Sequence, residues 1–262
     1  MRTYLALVKK ELYTLFVSPV AYVVLAVFFI VTGFFFYSGL TLVIEYVMQQ
    51  SFQAQQFGGM APPFDAPSVV MQGFFGNLSF VLLLVLPMIT MASFAEEKKS
   101  GTIELLLTSP VTRPQLVLGK FSALLLFLLF MLLPTIINTL LLYRVSAPAL
   151  PLAPVLTGYL GAFLLGGSLL AFGIFFSSLT ENQIVAVLVT FGLFIVLVLI
   201  DFAVGVSSTL VNDVIRYLSV MNHYEDFTKG ILDTRHVVFY LSFIFLGLFL
   251  TVISLESVRW RQ

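Results

Sequence analysis

Six long apolar segments punctuate the chain, at residues 20–43, 78–94, 116–143, 155–176, 184–204 and 237–255. Most reach the roughly 20 residues that a helix needs to cross a hydrocarbon core about 30 Å thick, so each is predicted to span a bilayer. Segment 78–94 is the shortest and holds Pro87, while 116–143 is long and holds Pro134. Proline removes a helix hydrogen bond, so both are predicted to kink or bend. Ahead of the first span, residues 1–18 follow the helix period. Tyr4, Leu5, Val8, Leu12, Leu15 and Phe16 share one face, and Arg2, Lys9 and Lys10 lie opposite. A basic amphipathic helix of this kind lies in the membrane interface, until Ser18-Pro19 breaks it. The polar stretch is too long for the n-region of a cleaved signal peptide, and the apolar run after it is too long for an h-region.

The connections carry different patterns. Residues 45–77 are rich in Gln, Gly and Pro, 95–115 are charged, 144–154 are Pro-rich and 177–183 are short. In 205–236, Leu210, Val211, Val214, Ile215 and Leu218 keep helix spacing and predict an interfacial or re-entrant helix. On the fourth span, Gly158, Ala162 and Gly166 recur every four residues, a small-residue face on which helices approach closely.

Composition turns these segments into a fold class. Of the 262 residues, 60% are hydrophobic and 10% charged, against about 25% charged in soluble domains. Lipid must be the solvent for most of that surface. The reading is an all-α polytopic membrane protein of about six transmembrane helices behind an N-terminal interfacial helix, forming one domain over 1–262. A net charge of zero gives no support to a nucleic-acid partner. The absence of Cys excludes disulfides, thiolate metal sites and Cys nucleophiles. With the N-terminus inside, nine of the 13 Lys and Arg residues fall on inner segments, among them Lys9, Lys10, Lys98, Lys99, Arg113 and Lys120. The outer segments hold Arg144, Arg216, Lys229 and Arg235. The positive-inside bias therefore places both termini in the cytoplasm.

Candidate chemistry is sparse. Asn138 and Asp201 are the main polar groups within the spans, read as possible pathway or helix-packing residues. His223, Glu225 and Asp226 offer metal-ligand types, but one helix turn gives few convergent ligands and Lys229 lies close, so capping and charge pairing is the better reading. The only two histidines, His223 and His236, lie in the outer segment, which argues against an intramembrane hydrolase. No Gly-rich lysine loop for ATP phosphates occurs in the sequence. No catalytic residue, cofactor or metal site is assigned to this chain.

The inner loop is the most informative segment. Ser100-Gly101 breaks the chain, Thr102 is placed to cap a short helix holding Ile103, Leu105, Leu106 and Leu107, and Pro110 stops it. Thr112 and Gln115 then have capping-box spacing at the start of the third span. Such a leucine stub either rests on the bilayer interface or inserts into a cytosolic partner's groove.

The stretch Glu96-Glu-Lys-Lys-Ser-Gly-Thr-Ile-Glu-Leu-Leu-Leu-Thr-Ser-Pro110 resembles the loop of ABC-2 type permeases, membrane subunits of ATP-binding cassette transporters. Ser177-Ser-Leu-Thr-Glu-Asn-Gln-Ile184 and Asn222-His-Tyr-Glu-Asp-Phe-Thr-Lys-Gly-Ile-Leu-Asp233 are similar to two further stretches of the same group, in the same order. The combination is most similar to the branch of gliding-motility and nitrous-oxide-reductase-maturation permeases. The resemblance implies an exporter-like transmembrane domain in a bacterial inner membrane, pairing with a second copy or paralogue. It implies a dimer of separate ATPase subunits that bind ATP and Mg²⁺, and leaves room for an extracytoplasmic accessory subunit. The loop would be a coupling helix: Glu96, Glu97, Gly101, Thr102, Ile103, Glu104, Leu105 and Leu106 would meet the ATPase, with Glu181 as a second contact. Export of cargo is the expected direction. A membrane scaffold that passes ATPase motion to an outer partner without moving cargo is the alternative.

Overall fold

The computed structural model describes residues 2–56, 64–104, 111–146, 150–203 and 217–257. Among these, all regular structure is helical: α1 (Arg2–Val17), α2 (Pro19–Gln56), α3 (Ala66–Thr90), α4 (Ala92–Lys99), α5 (Arg113–Leu132), α6 (Ile136–Val145), α7 (Leu152–Leu179), α8 (Gln183–Ala203), α9 (Val220–Thr228) and α10 (Thr234–Ser257). Six segments are long and apolar enough to cross a membrane: Pro19–Gln56, Ala66–Lys99, Arg113–Val145, Leu152–Leu179, Gln183–Ile200 and Thr234–Ser257. The chain is an all-α polytopic membrane protein.

Helix lengths differ from the apolar runs where polar residues also favour helix. α2 continues through the Gln-rich stretch to Gln56, because Gln, Met and Ala are good helix formers. Its 38 residues rise roughly 57 Å, about twice the hydrocarbon thickness. α3 begins at Ala66, well before the apolar run, because the Asp65 side chain accepts from the Ser68 N–H and Pro67 fits the first turn. Pro87 lies inside α3, whereas Pro134 interrupts the third span as the 3₁₀ turn Leu133–Thr135 between α5 and α6. Gly101 and Gly230 carry positive φ, +71° and +88°, directly after α4 and α9. That conformation stops each helix, and glycine adopts it without strain.

α7 is the hub. It packs against α3, α4, α5, α8, α9 and α10, and most of its side chains are buried. Its glycines therefore do not form a single seam. Gly158 faces the Phe75 ring on α3, Gly161 faces Phe227 on α9, and Gly166 faces Leu128 on α5. Each is a notch for a neighbour's side chain, as a helix surrounded on all sides requires. Large buried aromatics, including Phe28, Phe75, Phe127, Phe194, Phe227 and Tyr240, fill the space between helices.

α1 rests on protein as well as facing outward. Tyr4 Oη lies 2.6 Å from Ser122 Oγ, Leu7 lies against Gly119, and Phe16 contacts Phe127 and Phe130, all on α5. Lys9, Lys10 and Tyr13 remain exposed. The two ends of the bundle are defined by α7. Ser177 and Ser178 at its C-terminal end meet α4 and the end of α10, while Thr157 at its N-terminal end donates to the Phe227 carbonyl of α9.

Candidate functional site

At the α4 end, the second span continues as a polar helix instead of stopping. Ser177 Oγ on α7 accepts from the backbone N–H groups of Phe94 and Ala95, each at 3.0 Å, and donates to the Met91 carbonyl at 2.8 Å. One hydroxyl thus ties the junction of α3 and α4 to the fourth span. Lys98 Nζ donates to the Ser178 carbonyl at 2.5 Å, and Ser254 Oγ on α10 reaches the same carbonyl at 3.3 Å.

Lys120, two turns into α5, is 3% exposed. Its ammonium lies 2.8 Å from Glu97 Oε1 on α4 and 3.0 Å from Glu11 Oε2 on α1, and 5.1 Å from the centre of the Phe94 ring. A buried cation needs such partners, because desolvation without them is prohibitive. The trio joins the interfacial helix, the end of the second span and the start of the third. It borders an open cleft of about 500 Å³ between α1, α4 and α5, whose walls include Lys10, Glu96, Ser93, Ser100 and Thr102.

The structure divides the sequence-predicted loop residues into two sets. Glu96, Gly101, Thr102 and Glu104 are exposed, and so is Glu181 in the turn after α7. Ile103 is 7% exposed and joins the core, and Glu97 turns inward to Lys120. Leu105 and Leu106 lie outside the described residues. In the turn, Asn182 Oδ1 accepts from the Ile184 N–H and caps α8. At the start of α5, the Thr112 N–H donates to Gln115 Oε1 at 3.2 Å.

By sequence alone Lys120 counts among the inner-segment charges, and Glu11 has no assigned role. The available signal was Lys120's position inside an apolar run, where an ionisable group requires a partner. Asn138 is half-buried on α6. The polar node near it is a different one: Tyr159 Oη lies 3.2 Å from Thr135 Oγ1 and 3.1 Å from Thr139 Oγ1. Asp201 is on the last turn of α8, and its side chain lies outside the described residues. Among the described residues, no group of three or more His, Asp and Glu side chains is placed to hold a metal ion.

The fold is that of a polytopic helical membrane protein whose charged groups gather at its ends, with a polar helix clamped at the end of one span. Residues 5–257 match the sequence profile of the ABC-2 family transporter proteins, and the chain belongs to that family. It is a permease component of an ABC transporter, and an ABC ATPase subunit is its family's partner. No curated protein matches the chain in sequence.

Proposed function

We propose that this chain forms the membrane pathway of an ABC exporter and couples a separate ATPase to cargo movement through the α4 end. In this reading the α4 end faces the cytoplasm, where the inner loops hold most of the basic residues. The ATPase subunits carry ATP and Mg²⁺, and a second permease copy or paralogue completes the pathway. By its loop motifs the chain resembles the branch of gliding-motility and nitrous-oxide-reductase-maturation permeases.

One observation carries the proposal: α4 is bolted to the fourth span by Ser177 and to the third span and α1 by Lys120. A push on residues 96–104 is therefore delivered to three spans together as a rigid-body shift. Exposed Glu96, Thr102, Glu104 and Glu181 present the contact surface, with Gly101 setting the turn; Leu105 and Leu106 are assigned to the same contact from the sequence alone. Glu97 and Ile103 act from inside, holding that surface in place.

The test is reconstitution of the permease with its ATPase in liposomes. Leu106→Asp and Glu181→Lys are expected to insert normally yet lose cargo-stimulated ATP hydrolysis and transport. Variants that keep both activities would remove the docking site from this surface. ATPase stimulation by the wild type without movement of any labelled cargo would instead favour the scaffold reading.

A further inference from the structure

At the end of the bundle opposite α4, the two histidines of the chain meet. His223 on α9 is 4% exposed, and its ring stacks on Phe239 of α10 with centroids 4.0 Å apart. Its Nε2 lies 2.9 Å from the Tyr217 carbonyl, and its Nδ1 lies 2.6 Å from Nδ1 of His236 on α10. His236 Nε2 in turn lies 2.8 Å from Asp226 Oδ2 on α9. The other ionisable groups near the junction are committed elsewhere. Glu225 pairs with Lys229 at the surface, Asp233 Oδ1 accepts from the Arg235 N–H, and the hydroxyls of Tyr224 and Tyr240 donate to the carbonyls of Phe75 and Val220. Tyr217, Phe227 and Phe239 supply the aromatic walls.

Counting protons along this chain of contacts gives a definite answer. A carbonyl only accepts, so His223 Nε2 carries a hydrogen. An ionised carboxylate only accepts, so His236 Nε2 carries one too. With both rings neutral, the two Nδ1 atoms would then face each other as lone pairs at 2.6 Å. The contact is a hydrogen bond only if one further proton lies between them. Asp226, on the surface side, neutralises the resulting imidazolium.

We propose that His223 and His236 form a proton-holding latch that fastens α9 to the start of the last span, with His236 as the imidazolium, His223 as its neutral acceptor, and release of α9 when the proton leaves. Burial, and then the neighbouring His236, disfavour a charge on His223 itself, although the Tyr217 carbonyl and Asp226 act the other way. That fits a pair that keeps one proton and resists a second. The element it controls caps the end of α7, where Thr157 holds the Phe227 carbonyl.

Because the sequence has only two histidines, ¹⁵N-histidine labelling of protein without a histidine tag reports on this pair alone. In EDTA-treated protein at pH 7.5, about one unit above the free imidazole value of about 6.5, one ring is expected to have both nitrogens protonated and the other only Nε2. Asp226→Asn is expected to move loss of the shared proton to lower pH. In the wild type, amide hydrogen exchange over 220–228 should quicken in step with that loss, a readout that stands if the variant folds poorly. Two neutral rings at pH 7.5, with or without added zinc, would overturn the proposal, as would exchange that ignores the proton's departure.

Discussion

Lys120 is the residue on which the α4 end depends most. Its ammonium is buried between Glu11 and Glu97, and the second oxygen of Glu97 has no hydrogen-bond partner among the described residues. Removing the cation alone would leave two carboxylates facing each other in a poorly solvated site. Breaking such a pair from one side typically costs about 3–5 kcal/mol. Lys120→Met should therefore lower the thermal unfolding midpoint of the detergent-solubilised protein clearly, and adding Glu97→Gln should restore much of the loss. A double variant no more stable than Lys120→Met would show that the pairing is incidental. His223 gives a pH prediction of definite sign. Burial holds its folded pKa below the ordinary value, so as pH falls through about 6.5 the unfolded chain takes up the proton first. The stability it contributes is present above that pH and is lost toward the depressed folded value. Above about pH 6.5 the shared latch proton acts in the opposite sense, because the unfolded chain gives it up there. The comparison therefore belongs at about pH 6.5 and 5.5, between which thermal midpoints should fall for the wild type and fall less for His223→Phe.

α4 shows how an element can be more constrained than its sequence reveals. Its first-turn N–H groups would be orphans without Ser177, which lies more than 80 positions away in the chain. Ser177→Ala leaves those donors buried, at a cost of about 1–3 kcal/mol, and loosens α4 from the fourth span. The expected result is a lower thermal midpoint together with weaker cargo stimulation of the ATPase, whereas Ser177→Thr, which keeps the hydroxyl, should lose less. The same helix shows what was legible beforehand. The six apolar runs are each part of a helix long enough to span a membrane, and the break at Pro134 followed from its missing N–H. The start of α3 and the extent of α2 were hidden, because Gln72, Asn77 and the Gln-rich stretch look like loop by hydropathy. The joins at Lys120 and at His223–His236 were also out of reach. Their partners come from different helices, and no local period encodes which ends of the bundle they share.

At the scale of the whole molecule, α7 sits at the centre and the polar clusters occupy its two ends. Ser177 anchors α4 at one end, and Thr157 holds α9 at the other. A deeply packed helix whose glycine notches are filled by its neighbours' side chains is suited to carry a displacement between those ends. The central claim is that the surface around Thr102 meets an ATP-hydrolysing partner in the cytoplasm. The sequence contains no Cys, so a Thr102→Cys variant carries a single thiol for cross-linking in native membranes. The account predicts a cross-link from that thiol to a protein bearing a Gly-rich ATP-binding loop, with no labelling by an impermeant reagent from the outer side of intact cells. Labelling from outside, with no ATPase among the cross-linked products, would contradict it.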